Sequence, residues 1–123
     1  MIQADEYEKI LRTAERIVQL IGTDQLDELS LLQSGTRLKP EAFRRVMAEH
    51  GKTFVFDQSR SVLPIENAVV VDGSSPTRYA VDIPLQTREE GRSDLEVRAT
   101  FFLAMNERDP EILGFEIDDI LIS

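Results

Sequence analysis

The chain has no cysteine and no tryptophan among its 123 residues, and its only histidine is His50. The lack of cysteine excludes disulfide bonds, a thiolate nucleophile and a cysteine-based zinc site, so cohesion must come from packing. His50 lies at the end of a predicted helix, where its protonated ring would interact favourably with the terminal carbonyls. We therefore interpret it as a helix cap and not as a catalytic residue. The motifs of serine hydrolases, nucleotide-binding loops and zinc peptidases are also missing. These absences favour a non-enzymatic protein, although an enzyme with another kind of site stays open.

Long apolar runs are lacking as well. No stretch approaches the roughly 20 apolar residues that span a bilayer, and no leader-like segment precedes the first helix pattern. We therefore expect a soluble, cytoplasmic protein without membrane contact.

Positive charge is in deficit, with 14 basic against 23 acidic side chains and a net charge of −9. Residues 1–51 carry 7 basic and 9 acidic side chains, whereas residues 52–123 carry 7 and 14. Such a field repels nucleic acid phosphates and attracts basic proteins, although acidity alone also promotes solubility. We therefore expect no nucleic acid partner and favour a basic protein partner.

Length and composition predict a single domain over residues 1–123, since 41% hydrophobic and 30% charged residues are typical of a globular chain. Helical periodicity is confined to about residues 4–51, and a period of two dominates about residues 52–123. Helices followed by a strand meander predict an α+β fold with N-terminal helices packed on a curved antiparallel sheet.

Three helices are predicted in the first part of the chain. The first runs from about Ala4 to Ile21 and stops at Gly22. A short second helix contains the leucines at 26, 29 and 32, with Thr23 or Asp24 as its cap and Ser34-Gly35 at its end. The third begins at Pro40 and ends at a left-handed Gly51.

Strands are predicted at residues 53–56, 68–71, 78–85 and 95–104, with a turn at 72–76 and a final strand after Asp109-Pro110. Pro84 indicates a sheet edge or a strand end. In the last strand, Phe115 and Ile117 are in one phase and Ile120 in the other. A bulge near Asp118-Asp119 would let both sets face the core and turn the carboxylates to solvent.

The segment Thr87–Leu95, with the sequence TREEGRSDL, is a polar connection between two alternating strands. Gly91 suits a turn that bulkier residues resist, and Ser93 or Asp94 can accept backbone hydrogen bonds. Arg92 can pair with a neighbouring carboxylate or present its guanidinium to a partner. We interpret the segment as an ordered hairpin connection and not as a catalytic centre.

The order of elements resembles the cystatin-like cone of the nuclear transport factor 2-like superfamily. More locally, RYAVDIPLQTREEGRSDLEVRATFFL resembles the centre of an uncharacterised bacterial family of small proteins with an E-E-G-R-S-D-L loop. This resemblance implies a fold but no reaction. Related small proteins resemble immunity partners of bacterial toxins, so it also implies an interaction with a toxin.

Acidic residues are dense between Glu107 and Asp119, but their spacing lacks the register and the glycine of a calcium loop. We expect no metal and no cofactor. An acidic surface can instead cover the basic cleft of a nuclease or another toxin, with fast association through charge attraction. The residues predicted to bind such a partner are Glu89, Glu90, Arg92, Asp94, Asp118 and Asp119.

Two alternatives stay open beside the interaction module. One is a small-molecule or catalytic pocket inside the cone, lined by Tyr79, Phe101 and Phe115. In this alternative Asp82 is a weak partner for Tyr79, because the two residues lie on opposite faces of one strand. The other is a structural homodimer that pairs through an apolar strand face formed by Thr100, Phe102 and Ala104.

Overall fold

A computed structural model describes residues 4–34, 38–57, 68–71 and 77–122. Within these ranges three helices precede five strands, which confirms the predicted α+β class. The elements are α1 (Ala4–Gly22), α2 (Leu26–Leu32), α3 (Pro40–His50), β1 (Phe54–Val55), β2 (Ala68–Val71), β3 (Arg78–Thr87), β4 (Gly91–Met105) and β5 (Leu113–Ile122). The predicted turn at 72–76 and the predicted helix end at Gly35 lie outside the described residues.

The strands form one antiparallel sheet in the order β1-β3-β4-β5, and β2 also pairs with β3. Because β4 occupies one edge of β3, β1 and β2 share the other edge, opposite residues 86–87 and 78–81 respectively. Pro84 lies between these two stretches, where the described residues offer β3 no partner on that edge. The prediction of a sheet edge or strand end at Pro84 is therefore wrong, because Pro84 lies inside β3 and pairs with Glu96 of β4. A residue without an N–H is tolerated there because the missing donor falls where no described strand pairs.

The hairpin between β3 and β4 is tighter than the sequence predicts. The turn covers residues 88–90 alone, and Gly91 already pairs with Thr87 in the ladder. Gly91 has a φ of 72°, the left-handed conformation that closes a short hairpin loop. Residues 91–95 are therefore strand, which corrects the longer predicted loop. Polarity misled the prediction here, because Ser93 is buried and its hydroxyl accepts the Leu95 N–H at 3.0 Å.

The predicted bulge in the last strand is confirmed. Arg98 pairs with Asp119 and Ala99 pairs with Ile117, so Asp118 is the extra residue. Phe115 and Ile117 before the bulge are fully buried, and Ile120 after it packs against the same core. Because of the extra residue, the apolar side chains after the bulge point to the same side of the sheet as those before it.

The helices pack on one face of the sheet and share its hydrophobic core. α1 contributes a stripe of buried residues at helical spacing, and the inward residues of β3, β4 and β5 complete the cluster. Its largest fully buried side chains are Tyr79, Phe43, Phe101, Phe115, Ile10, Ile17, Leu20, Leu26, Leu29, Ile83 and Leu85. Burial at about 25 cal/mol per Å² makes this cluster the main source of stability.

The turn from α1 to α2 differs from the prediction. Gln25, and neither Thr23 nor Asp24, takes the N-cap position of α2, and it makes no side-chain capping bond. Thr23 instead closes α1, since its hydroxyl donates to the Gln19 carbonyl at 2.7 Å, and Asp24 adopts a φ of 56°. The reversal of the chain therefore uses Asp24 in the left-handed region, which short polar side chains tolerate. In α3, by contrast, Pro40 and the left-handed Gly51 are placed as predicted.

Three buried polar side chains tie the helices and the β4–β5 loop to β5. The Thr13 hydroxyl on α1 accepts the Leu113 N–H at 3.0 Å and donates to the Lys9 carbonyl at 2.7 Å. Gln33 accepts the Ile117 N–H at 3.0 Å. Asn106 donates to the Leu32 carbonyl at 2.9 Å and accepts the Arg108 N–H at 2.9 Å. The bonds to Leu113 and Ile117 satisfy backbone N–H groups of β5, and the bonds of Asn106 satisfy groups at the end of α2 and in the β4–β5 loop.

Gly22 marks a close approach of α1 to β1. A Cβ atom at this position would overlap the backbone of Val55 and Phe56. Gly51 is different, because it needs a positive φ of 61° but has open space around it. The two glycines thus serve distinct needs, backbone proximity at one helix end and backbone conformation at the other.

Thr13→Val removes the hydroxyl with little change in shape and leaves the Leu113 N–H buried without an acceptor. We expect the free energy of unfolding to fall by about 1–3 kcal/mol. Thr23→Val is the matched control, because the Thr23 hydroxyl also donates to a carbonyl four residues earlier but is exposed. We expect it to cost less than about 0.5 kcal/mol. Urea unfolding measures both values, and equal losses would contradict the role of Thr13.

Gly22→Ala should destabilise the protein by about 2 kcal/mol or more, because Val55 and Phe56 must move to admit the methyl group. Gly51→Ala should cost about 1 kcal/mol, the strain of alanine in the left-handed region. Thermal and urea unfolding of the two variants provide the comparison. Helix propensity alone predicts a gain for Gly22→Ala, so a stabilised variant would refute the close contact.

Candidate functional site

The face of the sheet opposite the helices carries alternating polar side chains of β3, β4 and β5. Register places Asp82 beside Arg98 and Arg98 beside Asp119, which makes a row of acid, base and acid across three strands. The next row contains Ala80, Thr100 and Glu116. We call this surface the outer sheet face.

Arg98 lies at the centre of this face. Its Nε donates to one carboxylate oxygen of Asp82 at 3.1 Å, and a second nitrogen donates to the other oxygen at 3.4 Å. This forked bond raises the pKa of the Arg98 guanidinium above its usual value, and Asp119 and Asp118 raise it further. One positive charge thus stands among three carboxylates. We call these four residues, Asp82, Arg98, Asp118 and Asp119, the outer-face cluster.

Asp118 and Asp119 also have local structural bonds. The Thr100 hydroxyl donates to Asp118 at 2.8 Å across the strands. Asp119 accepts the N–H of its neighbour Ile120 at 2.8 Å and is exposed. β5 is an edge strand of the sheet among the described residues. The bulge and these bonds make its second half less regular, which disfavours pairing with a strand of another chain. The two carboxylates therefore shape the strand end while they supply its negative charge.

The tip of the β3–β4 hairpin is docked on the segment that follows α3. The Glu89 carboxylate accepts the Thr53 N–H at 2.7 Å, and the same bond holds the pKa of Glu89 below its usual value. Glu90 forms an ion pair with Lys52 at 2.7 Å. This contact raises the pKa of Lys52, and Asp94 lies near enough to raise it as well. Glu89 and Glu90 therefore have partners within the fold.

The predicted partner-binding residues thus fall into two groups. Glu89, Glu90 and Asp94 lie at the hairpin tip, whereas Asp118 and Asp119 lie beside Arg98. The interval from residue 91 to residue 98 along β4 corresponds to roughly 23 Å at the usual rise per strand residue. The Arg92 backbone pairs with Gln86, and its side chain is not among those described.

The aromatic residues predicted to line an interior pocket belong to the packed core. Tyr79, Phe101 and Phe115 have exposed fractions of 2%, 0% and 0%. The rings of Phe101 and Phe115 meet edge to face, with centroids 6.5 Å apart. The three aromatic residues thus face the core, and the two surface cavities beside Arg16 are lined by other side chains.

Tyr79 has a polar partner at the end of its buried ring. Its hydroxyl donates to a Glu6 carboxylate oxygen on α1 at 2.9 Å. Burial and this bond raise the pKa of Tyr79 to about 12. Asp82 points to the other face of β3 and bonds Arg98, which agrees with the expectation that Tyr79 and Asp82 form no dyad.

The apolar patch predicted on β4 is partly covered. The Arg78 guanidinium stacks over the Phe102 ring at 5.2 Å from its centroid, and Phe102 is half-buried. Ala104 is exposed, and neighbouring Met105 is the more exposed apolar side chain at 70%. The surface suggested for a homodimer is thus narrower than the sequence pattern indicates.

A second set of charged residues was not anticipated. Arg16 of α1 lies between two surface cavities of about 390 Å³ each. One is formed by α1, Phe56 and the β4–β5 loop, and the other by α1, α2 and the same loop. Arg16 and Asp109 line both of them, and we call the pair of cavities the Arg16 groove.

Different signals would have been needed to find these sites. The outer-face cluster follows from the hairpin register, because a turn at 88–90 places Asp82 opposite Arg98. The predicted longer loop left that register undefined. Arg16 carries no comparable signal, since an arginine on the polar face of a helix is common and its loop partners are distant in sequence.

No group of three or more metal-ligating side chains converges within the described ranges. None of the helices that the structure describes is both long enough and apolar enough to cross a bilayer. A family model described as a domain of unknown function, DUF7668, matches residues 17–122. Neither a curated protein nor a solved structure matches the chain.

Tyr79 should make stability fall in alkaline solution. Its pKa is 10.0 in an unfolded chain and about 12 in the fold, so above pH 10 the unfolded state loses the proton first. The free energy of unfolding should therefore drop between pH 10 and 12, by up to about 2 kcal/mol. Urea unfolding across this range, with Tyr79→Phe as the reference, measures the effect. Identical pH slopes for the two proteins would contradict it.

Proposed function

Because the chain belongs to the DUF7668 family, whose description states no activity, we propose from the geometry that it is a non-enzymatic protein-interaction module with a basic protein partner. The single observation that carries this proposal is the outer-face cluster, in which one arginine stands among three carboxylates on an exposed sheet surface. Asp82 engages Arg98 in a forked bond, and Asp118 and Asp119 add two further negative charges beside the same guanidinium.

The surroundings of the cluster strengthen the negative field. Glu96 and Glu116 lie on the same face by register, and Arg78 adds a further base to it. Complementary charge steers a basic partner and increases the association rate, while exposed pairs add little to folding stability. An acidic, half-apolar sheet surface is therefore better explained by recognition than by stability.

Among basic proteins, we propose a bacterial toxin whose basic active-site cleft is covered by the outer sheet face. The chain then acts as an immunity protein in the cytoplasm. The absence of cysteine agrees with a reducing compartment, and the filled interior leaves surface recognition as the favoured mode. In this proposal the hairpin tip stabilises the fold and does not bind the partner, because Glu89 and Glu90 bind Thr53 and Lys52.

We propose in addition that the fold is a cystatin-like cone and that the β3–β4 hairpin with its E-E-G-R-S-D-L sequence is the recognisable centre of the family. Helices that precede an antiparallel meander, with a long last strand, support the first part. Register shifts within β3–β4 and β4–β5 also support it, because bulges bend strands. The docking of the hairpin tip on residues 52–53 supports the second part.

The double variant Asp118→Asn and Asp119→Asn tests the electrostatic mechanism. Asparagine keeps an oxygen that can accept from Thr100 and from the Ile120 N–H, so the strand end should survive. We expect association with the partner at low salt to slow by about tenfold and its salt dependence to weaken. Stopped-flow association at several salt concentrations gives both quantities, once the partner has been captured by carboxylate-to-lysine cross-linking in host lysate.

The control is Glu41→Gln with Glu49→Gln on α3, which makes the same change in net charge at exposed positions on another element. At about 0.1 M salt it should change the association rate by less than about twofold, because surface charges are then screened beyond about 10 Å. Equal slowing by the two double variants would assign the effect to net charge. Unchanged kinetics in the outer-face variant would reject this face as the binding surface.

A further inference from the structure

Arg16 is held loosely by its neighbours. Its guanidinium lies 3.5 Å from Glu28 and 4.0 Å from Asp109, both longer than a good charge-assisted hydrogen bond. Its Nε–H is buried and has no acceptor in the part of the chain that the structure describes. A guanidinium presents several donors in a planar fork that matches a carboxylate. The Arg16 side chain is 36% exposed and lines both cavities, so the outer part of its guanidinium can meet an anionic group there.

Carboxylates of the protein line the cavity of the groove that contains Phe56. Glu15 on α1 and Glu111 on the β4–β5 loop are exposed at its rim, and Asp109 lies deeper beside Arg16. With Arg12 and Arg16, the cavity has two positive and three negative side chains. A simple anion such as phosphate would be repelled by this set. A ligand with one carboxylate and two cationic groups balances it.

The remaining walls suit a short aliphatic chain. Phe56 and Ile112 provide apolar surface, and Gln19 adds an amide that can donate or accept. The volume of about 390 Å³ is at the lower end of the range for small-molecule sites. A compact ligand with charged ends and methylene groups between them therefore matches the cavity in size, polarity and charge.

We infer that one cavity of the Arg16 groove, the one lined by Phe56 and Ile112, binds a free basic amino acid. Its α-carboxylate pairs with the Arg16 fork, its methylene groups contact Phe56 and Ile112, and its cationic groups contact Glu15 and Glu111. This site is separate from the outer-face cluster, because it is built from α1 and the β4–β5 loop. It goes beyond the proposed interaction with a basic protein and does not depend on it.

Titration of the isotope-labelled full chain with L-arginine, followed by amide NMR, tests the inference. We expect saturable shifts at residues of α1 and of the β4–β5 loop, with a dissociation constant of about 1 mM or tighter. Two further ligands test the carboxylate contact and the side-chain cation contact separately. Agmatine lacks the carboxylate and norvaline lacks the side-chain cation, and each should bind about tenfold more weakly than arginine.

Agmatine is a stringent control, because it carries more positive charge than arginine and is favoured by a protein of net charge −9. Equal or tighter binding of agmatine would show that general attraction, and not the Arg16 fork, holds the ligand. Absence of saturable shifts at millimolar arginine would also overturn the inference.

Arg16→Met removes the fork and keeps an unbranched side chain, so arginine affinity should fall by about tenfold or more. Arg45→Met on the exposed face of α3 is the matched control and should leave it unchanged. If Arg16→Met proves unfolded by its amide spectrum, Arg16→Lys serves in its place, with a smaller loss. Wild-type affinity in a folded Arg16 variant would overturn the assignment.

The Asp118→Asn and Asp119→Asn protein should bind arginine normally, which separates this site from the proposed docking face.

Discussion

The attachment of α1, of the α2 end and of the β4–β5 loop to β5 is the constraint on which the rest of the structure depends. Thr13, Gln33 and Asn106 are all buried, and each supplies a hydrogen bond to a backbone group of β5 or of its approach. Apolar packing alone is not directional, so it would let the helices slide along the sheet. These three polar contacts set the register of the helical layer against the last strand.

Those contacts also determine which part of the sheet stays available. Gln33 and the Ser34 N–H bind the outer edge of β5 at Ile117 and Phe115, so the first half of the edge is occupied from within the chain. The second half is shaped by the bulge at Asp118 and by the bond from Asp119 to Ile120. Edge pairing with another chain is thereby discouraged. The outer face, with its cluster around Arg98, is therefore the part of the sheet on which the proposed interaction rests.

Much of this fold was predictable from periodicity, since α1, α3, β2 and the bulge at Asp118 follow from local spacing of apolar residues and breakers. The errors have local causes. The polar composition of residues 91–95 concealed a strand, because Ser93 forms a hydrogen bond to a nearby backbone N–H when buried. The cap of α2 was misplaced because Thr23 bonds backward to α1. The Arg16 groove depends on contacts between distant segments, which no local pattern encodes.

The distribution of charge limits how the acidic residues can act. Screening restricts exposed charges to a range of about 8–10 Å at physiological salt, whereas the hairpin tip and Arg98 are separated by roughly twice that distance along β4. Glu89 and Glu90 at the tip therefore interact little with the outer-face cluster at this salt concentration. A partner that meets the cluster experiences Asp82, Asp118, Asp119 and their neighbours on the sheet. Glu89 and Glu90 at the tip are already engaged with Thr53 and Lys52, so they serve the fold, and the proposed docking relies on the sheet surface around Arg98.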